Sequence, residues 1–224
     1  MSSDHQNDGP TKSREDLFLL LSLLLLFLLH PVLDHGGWPG LILGVLTFVP
    51  LIVATMRMSH RKRLAWTLAL LLAGAMVIAV VAFVSGRQIL AVILWITITF
   101  ALGLVVVGLF SYLRQATSVT GGHLFTAASI YLLLAMLFFA LYSAFTAIYH
   151  DAFLKTTTAS APRSHELLYF SLVTLTTVGY GDIVPINGEM RMLAGLEAAT
   201  GVLYIAITVA TLVSSYKAPA SDKS

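Results

Sequence analysis

Thr176-Thr177-Val178-Gly179-Tyr180-Gly181-Asp182 is the stretch on which the reading of this chain turns. A cation gives up its water shell only where protein oxygens replace it at nearly the same energy. Backbone carbonyls do this when they all point inward from a narrow extended segment. Successive carbonyls turn the same way only with dihedrals that ordinary L-residues sustain poorly. Glycine at alternate positions supplies them, and Gly179 and Gly181 stand at alternate positions. The Thr177 hydroxyl adds an oxygen at the inner end. Val178 and Tyr180 are expected to point away from the ion and wedge the segment against its surroundings. One chain carries one such segment, so a complete cage needs four copies around an axis.

In a soluble protein Gly-Tyr-Gly-Asp would pass for an ordinary turn. Here it closes a longer run that begins at Leu172, in a chain whose composition belongs in a membrane. Hydrophobic residues make up 58% and charged residues only 11%, against roughly 25% charged in an average globular domain. So few charges cannot cover a water-facing surface. With no cysteine there are no disulfides and no thiolate metal sites, and a net charge of +2 is too small to suggest nucleic acid. No glycine-rich phosphate cradle, nucleophilic triad or pair of catalytic acids is present, so no enzyme is expected and no cofactor.

About twenty apolar residues span a bilayer, and six segments qualify: Leu17–Leu33, Trp38–Met56, Leu64–Val84, Gln88–Tyr112, His123–Tyr149 and Gly188–Tyr216. A shorter apolar stretch, Glu166–Thr176, ends directly in the glycine-bearing segment. It is too short to span and is expected to be a re-entrant helix, which is tolerated where protein or a water-filled cavity surrounds it. The expected architecture is an all-α membrane protein of six transmembrane helices plus a re-entrant helix. Its parts are a flexible N-terminus (1–16), a four-helix membrane domain (17–114), a second membrane domain (115–216) and a short tail (217–224).

Orientation follows from the basic residues. With a cytoplasmic start, Lys12, Arg14, Arg57, Arg61, Lys62, Arg63, Arg114, Lys217 and Lys223 fall inside. Only Arg87, Lys155, Arg163 and Arg191 fall outside. Both termini are then cytoplasmic, and the Thr177–Gly181 segment enters from the outer face. Lys12 and Arg14 before a leucine-rich run also fit a cleaved signal peptide, but Glu15 and Asp16 intervene and no Ala-x-Ala-like site follows. The segment from Lys155 to Pro162 is expected to be an extracellular loop, and the few polar residues after Tyr216 leave no room for a cytoplasmic regulatory domain.

Thr177–Gly181 reads TVGYG, the potassium-channel filter sequence, and the chain from about His123 to Ser215 resembles the pore module of tetrameric potassium channels. It resembles prokaryotic six-helix members with a front half that does not sense voltage. The resemblance implies a homotetramer in the plasma (inner) membrane, in contact with lipid. Potassium would pass along Thr177, Val178, Gly179 and Tyr180, with Gly181 completing the filter and Asp182 at the outer mouth. It also implies that Tyr169 and Phe170 brace the filter. Gly201 stands where bacterial relatives place an inner-helix hinge, although close helix packing explains a glycine there equally well. Val202, Ile205, Val209 and Val213 form one helical stripe with it and would line an apolar cavity. Val173 occupies a place where some relatives carry a buried glutamate, which removes the expected glutamate–Asp182 pairing.

Glu197 is an acid inside a membrane helix, a functional position by default. It is expected to hydrogen-bond the re-entrant helix, for instance at Thr174 or Thr176, and so support the filter. The alternative is a carboxylate near the outer water layer beside Arg191. A voltage sensor needs several regularly spaced arginines, and Ile89–Leu113 holds none. Gly40-x-x-x-Gly44 suggests helix packing. His30, Asp34 and His35, and the pair His150–Asp151, lack convincing metal-ligand spacing. The functional expectation is a potassium-selective channel without intrinsic voltage gating. The alternatives are a channel gated by a partner or by lipid, and a subunit of a potassium transporter. The regulatory partner and opening stimulus are left open.

Overall fold

The computed structural model of the chain describes residues 10–33, 47, 49–54, 62–114, 121–149 and 152–214. In order, these form α1 (Pro10–Leu33), a helical stretch at 49–54 (α2), α3 (Lys62–Ser85), α4 (Gln88–Arg114) and α5 (Gly121–Ile148). There follow β1 (Phe153–Lys155), α6 (Ser164–Leu175), β2 (Ile183–Pro185) and α7 (Gly188–Ser214). Among the described residues five helices are long and apolar enough to cross a membrane: α1, α3, α4, α5 and α7. Apolar side chains all round a helix suit a lipid environment rather than a water-facing surface. Most of the span expected at Trp38–Met56 lies outside the described residues, and its portion at 49–54 is helical. The tail at 217–224 also lies outside them.

The first helix begins earlier than its apolar run. Pro10 opens it, and a proline at a first helical position has its φ already set and no amide hydrogen to lose. Residues 10–16, expected to be flexible, are therefore helical, and Asp16 is buried. At the other junction, Gly86 ends α3 with φ at 61° and donates its N–H to Ala82 O at 2.9 Å. This is a left-handed helix cap that glycine takes without a steric penalty. The chain reverses there into α4, and Gln88 Nε2 reaches Ala147 O at 2.7 Å, tying α4 to the end of α5.

The hub of the fold is α5, on which α1, α4, α6 and α7 all pack. Its inward residues include Ile130, Leu133, Ala135 and Tyr142, all without solvent exposure. Helix α7 is the opposite case. Only 11% of its apolar span is buried, against 61% for α5, so the protomer leaves most of α7 uncovered.

The segment expected as a plain loop begins with a strand. β1 pairs antiparallel with β2, with Phe153 opposite Pro185, Leu154 opposite Val184 and Lys155 opposite Ile183. Two further bonds extend the neck, from Ile186 N to Ala152 O and from Thr156 N to Asp182 O, each 2.9 Å. Strands of three residues give too short an alternation to stand out in a sequence. Beneath them Tyr142, Phe153 and Phe170 meet in a three-way edge-to-face cluster, with ring centroids 5.1 to 5.4 Å apart. That geometry suits the ring quadrupoles and joins α5, β1 and α6.

Candidate functional site

Helix α6 is fixed at its start by two charges. The Arg163 amide donates to Glu166 Oε2 at 2.6 Å, and Lys155 Nζ reaches Glu166 Oε1 at 3.0 Å. The carboxylate thus satisfies an amide at the helix entrance and sits at the positive end of the helix dipole. Partial burial pushes the Glu166 carboxyl up. The Arg163 amide bond and the Lys155 ammonium outweigh that and hold it below the usual carboxylate range.

At its far end α6 carries the filter segment. Thr177 N donates to Thr174 O at 2.9 Å, Val178 N to Val173 O at 3.0 Å, and Gly179 N to the same oxygen at 3.4 Å. Thr176 closes the helix, with its amide bonded to Leu172 O at 3.1 Å and its hydroxyl to the same oxygen at 2.8 Å. Thr174 thus meets the segment through its carbonyl, whereas Thr176 bonds back into the helix. The amides of Thr177, Val178 and Gly179 hang from the helix, while the carbonyls of Thr177 to Tyr180 accept no hydrogen bond among the described residues.

The backbone alternates as the glycines require. Gly179 and Gly181 have φ of 55° and 77°, and Thr177 takes the same left-handed region at 59°. Val178 and Tyr180 between them have negative φ. An alternation of φ sign is what a segment needs to turn successive carbonyls the same way. A β-branched residue in this region is an outlier, and Thr177 is strained. Sequence reasoning assigned the alternation to the glycines alone, and the structure extends it by one position.

At the outer end, Tyr169 OH donates to Asp182 Oδ2 at 2.9 Å, and the ring of Tyr169 lies parallel to that of Tyr180. Burial and the neighbouring Asp182 carboxylate push the Tyr169 phenol up to about 12. With Val173 lacking a carboxylate, Asp182 finds its partner in Tyr169. The Thr156 hydroxyl lies 3.2 Å from both Gly181 O and Asp182 O, so the strand neck holds this end. Phe170 departs from expectation. It is buried in the aromatic cluster with Tyr142 and Phe153, so it anchors α6 to α5 and β1 while Tyr169 alone faces the filter. Neighbouring residues on a helix point about 100° apart, so within the protomer the two rings meet different elements.

Glu197 does reach the re-entrant helix, but neither Thr174 nor Thr176 is its partner. Its carboxyl meets the Ser171 hydroxyl, and Tyr142 OH lies 2.6 Å from the other oxygen. It is fully buried. Arg191 instead points its Nε at Pro185 O, 3.2 Å away, which removes the outer-water alternative. Ser171 and Tyr142 were not singled out from the sequence, because a serine or tyrosine inside a membrane helix carries no spacing signal.

Gly201 is buried against the end of α6, where an added β-carbon would fall 1.9 Å from Leu175 O. Tyr131 OH donates to that same carbonyl at 3.1 Å. One turn on, Tyr204 OH donates to Ala127 O at 2.7 Å, fastening α7 to α5. The packing reading of Gly201 thus has direct support. Val202, Ile205 and Val209 are about half exposed on the protomer. Val213 falls in the last turn of α7, where side chains lie outside the described residues.

The family model described as "Ion channel" matches residues 119–217, the part that holds α5, α6, the filter segment and α7. The two pore potassium channel a of Oryza sativa subsp. japonica is 37% identical over 101 residues, covering 45% of this chain and 25% of that protein. The potassium voltage-gated channel protein shk-1 of Caenorhabditis elegans is 45% identical over 49 residues, covering 22% and 9%. A putative potassium channel protein of Rhodopseudomonas palustris is 35% identical over 51 residues, covering 23% and 12%. The chain therefore spans a quarter or less of the length of these relatives. No solved structure matches it.

Proposed function

We propose that this chain is one quarter of a potassium-selective channel, a homotetramer in which four copies of Thr177–Gly181 surround a common axis. The observation that carries the proposal is the backbone of that segment. Left-handed residues alternate at Thr177, Gly179 and Gly181, the amides of Thr177 to Gly179 are tied back to α6, and the carbonyls of Thr177 to Tyr180 are left free to replace an ion's water. The negative end of the α6 dipole lies beside the inner end of the segment, which favours a cation there. The potassium-channel names of the relatives that this chain resembles support the choice of ion. The uncovered apolar length of α7 is where copies would meet around an apolar cavity lined by Val202, Ile205 and Val209.

In this reading the pore is not intrinsically voltage-gated, both ends of the chain are cytoplasmic and the filter opens outward. Purified protein in liposomes tests the proposal. Bi-ionic reversal potentials should show potassium passing far better than sodium, with barium as a blocker. Equal permeability to sodium would overturn it. Mass measurement of the conducting species should give four copies of the 24.2 kDa chain.

A further inference from the structure

Three hydrogen bonds meet in the buried space between α5, α6 and α7, and their hydrogens can be counted. Ser171 Oγ lies 2.7 Å from Ala135 O and also bonds Glu197 Oε1. Tyr142 OH lies 2.6 Å from Glu197 Oε2. A backbone carbonyl only accepts, a serine hydroxyl and a phenol hold one hydrogen each, and an ionised carboxylate holds none. The Ser171 hydrogen is taken by Ala135 O, and the Tyr142 hydrogen by Glu197. Three bonds need three hydrogens, and Ser171 and Tyr142 supply two.

The surroundings agree. Glu197, Ser171 and Tyr142 all have no solvent exposure. The titratable groups that face Glu197 are phenols on α5, Tyr142 and Tyr131, and among the described residues no lysine, arginine or histidine faces it. A buried charge without a paired cation is heavily penalised.

We infer that Glu197 is a neutral carboxylic acid whose own proton bonds Ser171 and straps α7 to α6, with Tyr142 and Ala135 extending the strap to α5. Glu197 is thereby a positioning residue for the filter. Ser171 sits on the same short helix whose Val173 and Thr174 carbonyls hold the filter amides, so the strap sets where the filter hangs. Its role in conduction rests on the channel reading, whereas the protonation state does not.

The test uses the full chain in lipid nanodiscs at neutral pH. An infrared difference spectrum of wild type against Glu197→Gln should show the C=O stretch of a protonated carboxylic acid, lost in the variant. The subtraction separates Glu197 from Asp16, the other buried acid among the described residues. A carboxylate band pair in its place overturns the inference. In liposomes Glu197→Gln should keep potassium flux near the wild-type level, because the amide nitrogen replaces the acid as donor to Ser171 and the amide oxygen accepts from Tyr142. Glu197→Leu should lower flux at least about tenfold, the factor matching one lost buried hydrogen bond. Glutamine as damaging as leucine overturns the positioning role. Should Glu197→Leu not assemble, the infrared comparison and the glutamine variant decide alone. A wild type without potassium flux would sink the channel reading and leave the infrared result standing.

Discussion

Tyr169 lies flat beside Tyr180, ring centroids 6.4 Å apart and planes 2° apart, while its hydroxyl holds Asp182 at 2.9 Å. One side chain on α6 thus meets the filter segment twice, by an offset ring contact and by a bond to a carboxylate. Tyr169→Phe keeps the first and removes the second. Selective potassium current should survive but decay faster, by up to about tenfold, since a bond to a charged group contributes about 1.5–3 kcal/mol and this one is partly wet. Current decay under sustained conduction is the measurement, and an unchanged decay would remove Asp182 anchoring from the account.

Gly179→Ala and Gly181→Ala should each abolish selective flux. Both positions hold φ in the left-handed region, where a β-carbon costs roughly 1–2 kcal/mol, and four copies place four such strains around one axis. Neither glycine has a neighbour within 4 Å of the added carbon in the protomer, so backbone strain is the cause. Isotope-flux assays with potassium and sodium decide it, and wild-type selectivity in either variant would contradict the assigned conformation.

Gly201→Ala should destabilise the folded protein by about 1–3 kcal/mol or more, as overpacking does, because Leu175 O must move out of the way. Gly74, with open space around it, serves as the control, and Gly74→Ala should be near neutral. Thermal unfolding in detergent distinguishes the two roles proposed for Gly201. A glycine needed only for bending would leave the melting temperature unchanged and alter open probability alone.

The left-handed glycines and the membrane helices were legible because their signals are local. The glycine alternation declares itself within Thr177–Gly181, and an apolar run such as Gln88–Tyr112 fixes its helix within two residues of the observed Gln88–Arg114. What could not be read was which side chains meet across helices. Nothing in the chain ties Glu197 to Ser171 and Tyr142 rather than to Thr174, since the choice depends on the rotation of α6 about its axis. The packing of Phe170 against Tyr142 and Phe153 depends on the same rotation. The strand neck was missed because its two halves lie either side of the filter and are each too short to carry a pattern.

Acid should loosen the entrance of α6. The Glu166 carboxyl is held below its ordinary value, so the Lys155–Glu166 link is fully present above the unfolded-state value of about 4.3. It is lost as pH falls through the lower folded-state value. The pair is only partly buried and screened by salt, so it contributes below about 1 kcal/mol. Melting temperature against pH should drop at the acid end in wild type and be flatter in Glu166→Gln. Equal acid slopes would show that the link contributes nothing.

Conductance should depend only weakly on voltage. One charge crossing the full field contributes about 2.3 kcal/mol per 100 mV, and α4 carries no charge before Arg114 at its final residue. Currents recorded over a wide voltage range test this. A steep, saturating conductance curve worth several elementary charges would show that the front helices sense the field.

The pairing of Phe153–Lys155 with Ile183–Pro185 has a consequence for how the assembly is made. It brings together the chain just before α6 and just after the filter, so the re-entrant helix and ion-facing backbone form a loop pinched at its neck. Both strands belong to one chain, so the neck needs no second copy to form. In the proposed tetramer each copy can therefore shape its own share of the ion path before it meets another. The Thr156 and Ile186 amides, bonded across the neck, should exchange with deuterium as slowly in dispersed single copies as in the ring.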